Sequence, residues 1–315
     1  MRVGAIDCGT NSLRLLVADV GDGRLAEVSR RNEIVRLGEN VDASGRISSG
    51  AMTRAFTVLE KYARECREAG VEKMRFAATS ASRDAANAEE FFAGVRAALP
   101  GVIPEVIDGR EEAELSFLGA TSVLTAEGAS LGRTLVVDLG GGSTEFIVGR
   151  VDGPDAAPEA AISVDLGSVR LTERLLHGDP PGHESIAAAA AEIDARLDEA
   201  GAVVPLSEID TLVGVAGTVT TLTAHALHLE SYDRSRIHGA QVDVGVMLSA
   251  CEDMLMAPSS RRVAMPYLHP GRIDVIGAGA LIWSRLVRRV IAGSPQVVLR
   301  TSESDILDGM ALRLS

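Results

Sequence analysis

Apolar residues fall into short runs cut by glycine, proline and hydroxyl residues, and the runs carry two periods. Met52, Phe56, Leu59 and Tyr62 recur at helical spacing and predict a helix over 49–69, whereas Val3-Gly4-Ala5-Ile6 and the run 13–20 have the length of strands. The same pattern predicts strands near 2–8, 13–20, 29–37, 74–78 and 103–107, with helices near 88–98 and 110–124. It then restarts with strands at 134–138 and 144–150, a turn at Asp152-Gly153-Pro154-Asp155 and a surface loop over 177–182. An Ala-rich helix over 184–200, a strand at 211–215, helices near 242–254 and 272–292, a strand at 297–299 and a last helix from about Glu303 complete the chain. The order β-β-β-α-β-α-β-α, seen twice, predicts a duplicated α/β domain with mixed sheets.

A repeated motif supports the duplication. Val3-Gly4-Ala5-Ile6 runs into Asp7-Cys8-Gly9-Thr10-Asn11-Ser12, and Leu135-Val136-Val137 runs into Asp138-Leu139-Gly140-Gly141-Gly142-Ser143. Both read D-x-G-x-x-S between two apolar strands, which predicts two β-hairpins with tight glycine-containing turns. Glycine permits unusual backbone angles and close approach to a ligand. Successive N–H groups in such a turn form an anion-binding nest. The hydroxyls of Thr10, Ser12 and Ser143 and the Asn11 amide add donors. Asp7 and Asp138 cannot usefully touch phosphate themselves, but each can hold Mg²⁺ through water, and the metal can bridge to phosphate oxygens. Ordinary exposed turns use the same residue types, but two copies in one strand–turn–strand context favour a phosphate clamp. A weaker echo joins the strand ending at Thr79-Ser80-Ala81-Ser82-Arg83 to the one ending at Ala216-Gly217-Thr218-Val219-Thr220. Each precedes a helix, whose N-terminus favours anions.

Composition narrows the function classes. The 315 residues are 46% hydrophobic but only 3% aromatic, so the core is built mainly from Ala, Val, Leu and Ile, in material enough for two domains. The formal charge of −13 argues against general nucleic-acid binding and requires that contacts to a polyanion be local. Lys61 and Lys73 are the only lysines, so those contacts fall to arginine, which suits bidentate phosphate recognition. Cys8, Cys66 and Cys251 form no C-x-x-C pair, which argues against a disulfide scaffold or a cysteine zinc site. His225 and His228 lack an H-E-x-x-H context and read as ordinary helix residues. No leader pattern opens the chain and no apolar run is long enough to cross a bilayer, so a soluble, cytoplasmic protein is expected.

Several ordered motifs together resemble the exopolyphosphatase and guanosine pentaphosphate phosphatase family, in the actin, sugar-kinase and chaperone-ATPase superfold. They are Asp7-Cys8-Gly9-Thr10-Asn11-Ser12 with Arg14, the stretch 78–84, Gly109-Arg110-Glu111-Glu112-Ala113 and the stretch 138–145. Leu166-Gly167-Ser168-Val169-Arg170, the stretch 214–218 and Leu307-Asp308-Gly309 complete the set. The resemblance implies duplicated actin-like (ribonuclease H-like) domains with an interdomain cleft. The domains would cover 1–120 and 121–300, with the C-terminal helix of about 301–315 packing back on the first. It implies Mg²⁺-dependent hydrolysis of the terminal phosphate of inorganic polyphosphate; K⁺ is a candidate accessory ion and a homodimer the expected assembly. Guanosine pentaphosphate is the alternative substrate, a catalytically weak polyphosphate or nucleotide sensor the alternative of another class. A kinase of the same superfold is a further competitor; the chain has no G-x-x-x-x-G-K-[ST] loop.

The resemblance also assigns roles. Glu112 is the catalytic base, although an acidic residue suits the first turn of any helix. Glu111 is left as a surface or dipole-complementing residue. Glu145 is a second catalytic carboxylate, acting on water or metal, with Asp7 and Asp138 directing the metal. Gly9, Thr10, Asn11 and Ser12 bind one phosphate; Gly140, Gly141, Gly142 and Ser143 bind its neighbour. Arg83 clamps phosphate, with Arg14 and Arg170 as weaker candidates. Gly217 and Thr218 match the position where the superfold approaches a nucleotide or the far end of its ligand. Thr10 replaces the more usual Ser of the first motif and keeps the hydroxyl. The chain resembles the short, two-domain members, which lack the extra C-terminal region that helps hold long polymers.

Overall fold

A computed structural model of the protein describes residues 1–21, 23–126, 130–152 and 156–314. Gly153, Pro154 and Asp155 of the expected turn at 152–155 lie outside the described residues. The chain divides into two compact units, Met1–Gly119 with the C-terminal segment from Ile306, and Ala120–Asp305.

The first unit is built on strands β1 (Arg2–Cys8), β2 (Ser12–Gly21), β3 (Arg24–Ile34), β4 (Lys73–Ala78) and β5 (Pro104–Val106). Their order is β3-β2-β1-β4-β5, with β1, β2 and β3 antiparallel and β1, β4 and β5 parallel. Alternation along β1 sends Ile6 and Cys8 to one face and Val3 and Ala5 to the other, and both faces are covered. Ile6, Leu13, Leu15 and Phe76 pack with Met52, Leu59 and Tyr62 of the Ser49–Glu68 helix and Phe91 of the Ala88–Ala98 helix. Val3, Ala5, Leu16 and Ala77 pack with Leu115 of the Gly109–Ala126 helix and with Ile306, Leu307 and Met310 of the Ile306–Arg313 helix. Asp308 is buried there and accepts a hydrogen bond from Arg30 of β3 at 2.6 Å.

The second unit repeats the plan. Strands β6 (Gly132–Leu139), β7 (Thr144–Val151), β8 (Ala157–Val164), β9 (Thr211–Val215) and β10 (Val298–Thr301) lie in the order β10-β9-β6-β7-β8, with the same senses. β6 to β10 thus occupy the places of β1 to β5. The correspondence reaches the irregularities: the second and third strands shift register at Val17/Ala18 in one sheet and at Val148/Gly149 in the other. One core runs through this unit, with Trp283 fully buried among residues of the His183–Val203, Ala216–Ala226, Val244–Met256 and Ile276–Gly293 helices.

Three elements differ from the sequence pattern close to the two turns. β3 spans Arg24–Ile34 rather than 29–37, because residues 35–38 leave the ladder and bond to the first turn instead. β8 was not expected, since Ala157-Pro158-Glu159-Ala160-Ala161 has weak strand propensity; it is a strand because β7 offers it an edge. The short Ser168–Arg174 helix was likewise unexpected.

Candidate functional site

Both D-x-G-x-x-S motifs form the same closed turn. Gly9 N–H donates to Ser12 O at 3.0 Å and Gly140 N–H to Ser143 O at 3.1 Å. Neither Gly9 nor Gly140 has a positive φ, so the expected need for unusual backbone angles does not hold at these two positions. What Gly140 supplies is room, since a Cβ there would lie 2.9 Å from Ser143 O. In each unit the segment after the third strand crosses the turn and donates to its carbonyls. Val35 and Arg36 N–H reach Asn11 O at 3.0 and 2.9 Å, and Gly38 N–H reaches Thr10 O at 2.8 Å. Ser168 N–H reaches Gly140 O at 3.0 Å, and Val169 and Arg170 N–H reach Gly141 O at 2.9 and 3.1 Å. The Arg170 side chain adds Nε to Gly142 O at 2.8 Å, so this arginine supports the turn. The crossing is close: a Cβ on Gly167 would lie 2.3 Å from the Gly141 carbonyl. Among the described residues, no backbone carbonyl accepts from the N–H groups of Thr10, Asn11, Gly141, Gly142 or Ser143. Each turn therefore has most of its carbonyls engaged and its N–H donors available, the polarity an anion requires.

In the first unit the parallel strands bring Cys8, Ala78 and Val106 level at one sheet edge, where Thr79 N–H bonds Cys8 O and Ile107 N–H bonds Ala78 O. Asp108 then caps the Gly109–Ala126 helix, accepting from Glu111 N–H through Oδ1 at 2.8 Å. Glu112 sits in the first turn of that helix and is buried at 8% exposure. Arg83 Nη1 reaches Glu112 Oε2 at 3.1 Å and Ile107 O at 2.9 Å, so the expected base and the expected phosphate clamp form one ion pair. Glu111 points elsewhere and pairs with Arg75 at 2.6 Å. Asp7 is opposite Arg14 in the β1–β2 ladder, and the Arg14 guanidinium holds Asp7 Oδ2 through Nη2 at 2.6 Å and Nε at 2.8 Å. Burial, and after it the Asp7 charge, push the neighbouring Cys8 thiol well above its ordinary pKa, so Cys8 is a packed thiol and no nucleophile.

In the second unit Asp138 is opposite Glu145, and Glu145 is opposite Ser163. Both carboxylates are buried, and Ser163 Oγ donates to Glu145 Oε1 at 2.7 Å. Among the described residues no cluster of three or more His, Cys, Asp or Glu side chains could cage a metal. A pair of carboxylates still fits Mg²⁺, which keeps several waters and takes one or two carboxylates together with substrate oxygens. Val215 is level with Asp138, so Gly217 and Thr218 follow at the same sheet edge as the second turn. Thr218 is buried against Gly279, and the Arg272 guanidinium fills the space beside Gly217. The expected residues thus fall into two sets: Asp7, the first turn, Arg83 and Glu112 in the first unit; Asp138, Glu145, the second turn, Gly217 and Thr218 in the second. Sequence reasoning missed Ser163, Arg272 and Gly38. Ser163 lay in an unread strand, and the other two become visible only through contacts distant in sequence.

A duplicated β3-β2-β1-β4-β5 sheet, with a donor-rich turn in the first hairpin of each copy, is the plan of the actin-like superfold. Residues 16–313 match the Ppx/GppA phosphatase family. The chain is 46% identical over 324 residues to exopolyphosphatase 2 of Mycobacterium tuberculosis, covering 100% of this chain and 98% of that one. A crystal structure of an exopolyphosphatase-like protein superposes with a TM-score of 0.94 at 40% identity, covering 100% of both chains. The Ppx/GppA family member from Aquifex aeolicus superposes with a TM-score of 0.80 at 30% identity, covering 100% of this chain and 97% of that one. The chain belongs to the Ppx/GppA phosphatase family.

Proposed function

We propose that this protein is an exopolyphosphatase, hydrolysing the terminal phosphoanhydride of inorganic polyphosphate with release of orthophosphate in the cytoplasm. The observation that carries the reading is the polarity of the two turns, most of whose carbonyls are bonded within the protein while N–H donors remain for a ligand. The turns are the phosphate-binding elements in this reading, with Thr10, Ser12, Asn11 and Ser143 adding side-chain donors. Glu112 orients the attacking water and accepts its proton, and Arg83, already on the Glu112 carboxylate, contacts the terminal phosphoryl group. Asp138 and Glu145 hold a divalent cation, Mg²⁺ in this reading. When bound, it offsets negative charge on the phosphate oxygens. Asp7 contributes less directly, because Arg14 already neutralises it. Three free, buried cysteines suit a reducing compartment, and among the described residues no helix is long and apolar enough to cross a membrane.

The test is phosphate release from polyphosphate of defined length in Mg²⁺, with guanosine pentaphosphate in parallel. Glu112→Gln keeps the shape and removes the base; kcat is expected to fall about 10²- to 10⁴-fold. Unchanged release from Glu112→Gln would remove Glu112 from the mechanism. Release from guanosine pentaphosphate alone would replace the polymer with the nucleotide as substrate.

A further inference from the structure

Asp138, Glu145 and Ser163 form a row across β6, β7 and β8, each residue opposite the next. The first unit has the same row at the same places: Asp7, Arg14 and Asn32 across β1, β2 and β3. The middle residue makes the difference. Arg14 is a cation and settles the Asp7 charge within the protein. Glu145 is a second carboxylate, 1% exposed, facing Asp138 at 6% exposed. Like charges directly opposite in an antiparallel pair repel, and a glutamate has three side-chain torsions through which to turn away. The Ser163 hydroxyl bonds Glu145 Oε1 at 2.7 Å from the third strand and limits that freedom.

We propose that Ser163 is a positioning residue, whose hydroxyl holds the Glu145 carboxylate in the one orientation that lets it share a divalent cation with Asp138. This role rests on the proposed function, in which these two carboxylates hold the cation. A hydroxyl that orients a metal-binding carboxylate contributes to affinity although it never touches the metal, and removal of such a partner typically weakens metal binding about 10- to 100-fold. Neither turn contains Ser163, so phosphate contacts are left in place when it changes.

The test measures Mn²⁺ binding to the full chain without substrate, by the electron paramagnetic resonance signal of free Mn²⁺, with thermal unfolding as the control for folding. Ser163→Ala is expected to weaken Mn²⁺ binding by about 10-fold or more. Ser163→Thr, which restores the hydroxyl, is expected to bind close to wild type, and Glu145→Gln to bind more weakly than Ser163→Ala. At saturating Mn²⁺, Ser163→Ala is expected to recover its rate of phosphate release from polyphosphate, and Glu145→Gln to remain slow. Wild-type Mn²⁺ affinity in Ser163→Ala, with binding lost in Glu145→Gln, overturns the role of Ser163 and leaves the carboxylate pair standing. Wild-type affinity in Glu145→Gln overturns the pair itself. Equal weakening in Ser163→Ala and Ser163→Thr shows that the hydroxyl is not the cause and also overturns the proposal.

Discussion

Gly38 lies where the chain leaves β3 and crosses the first turn, and its N–H bonds Thr10 O at 2.8 Å. A methyl group at Gly38 would lie 2.3 Å from Thr10 Cγ2, with Thr10 Cβ and Ala81 Cβ both at 3.3 Å. Carbon atoms in contact sit about 3.5 Å or more apart, so Thr10 must give by about 1.2 Å. It can turn about χ1, which relocates its hydroxyl, or the turn can shift, which relocates the N–H donors. Threonine is stiff at χ1, and overpacking of this kind costs about 1–3 kcal/mol. Under the proposed function either response displaces a phosphate donor by about 1 Å, and the loss of rate is expected to be about 10²-fold. Thr10→Ser removes only Cγ2, at a cost below about 1 kcal/mol, and keeps the hydroxyl. With Cγ2 gone, the nearest contact of a methyl at 38 becomes 3.3 Å, which a small adjustment absorbs.

The assay is a double-mutant cycle of wild type, Gly38→Ala, Thr10→Ser and the double variant, followed by urea unfolding and by phosphate release from polyphosphate. Gly38→Ala is expected to be the worst of the four in both measurements, and Thr10→Ser to rescue it. The coupling energy should be about 1–2 kcal/mol in the rescuing sense, outside the roughly 0.5 kcal/mol within which independent sites add. Additive effects, or undiminished phosphate release by Gly38→Ala, refute the reasoning.

Two further outcomes are expected. Gly309→Ala puts a Cβ 2.0 Å from Leu115 O, a backbone atom that no rotamer change can move. The Ile306–Arg313 and Gly109–Ala126 helices must then separate at a cost of about 3 kcal/mol, as read by urea unfolding. An isolated helix would instead gain about 1 kcal/mol from the substitution, so the sign alone is decisive. His225 carries a lowered pKa, first because it is buried, with Asp253 opposing and His228 and Arg261 adding to the shift. Its Nδ1 is 2.6 Å from the Tyr267 hydroxyl and its Nε2 is 3.4 Å from Asp253. Since the unfolded chain then binds the proton more readily, stability rises with pH below the unfolded value of about 6.5 and is lost as pH falls through that window. The melting temperature should drop between pH 7.5 and 5.5, and His225→Gln should flatten the drop; an unchanged slope in His225→Gln counts against it.

The hairpins were legible because a D-x-G-x-x-S turn between apolar runs leaves few alternatives, and its recurrence gave the duplication. Glu112 was legible as a position, through the motif at the start of a helix. Its pairing with Arg83 was not, because the ion pair depends on β4 and β5 lying parallel. Ser163 was hidden for a different reason. Its segment has too much alanine and a proline, so nothing local marks it as a strand, and only the free edge of β7 makes it one. Gly38 and Gly309 could be seen as glycines, but what each leaves room for belongs to another element. Local pattern thus located the two turns and the Glu112 helix start, and tertiary contact alone disclosed what packs against them.

The same backbone device therefore serves two electrostatic purposes. In both units a turn presents N–H donors, and in both an aspartate is the last residue but one of the strand before it. Opposite that aspartate stands Arg14 in one unit and Glu145 in the other, on strands of equal register. In the first arrangement the Arg14 guanidinium bonds the Asp7 carboxylate. The second places two buried carboxylates opposite one another, and like charges so placed repel. Under the proposed function a divalent cation between them relieves that repulsion. Under the proposed function, exchanging Arg14 for a neutral residue should therefore leave Mn²⁺ affinity near that of wild type, whereas exchanging Glu145 should not.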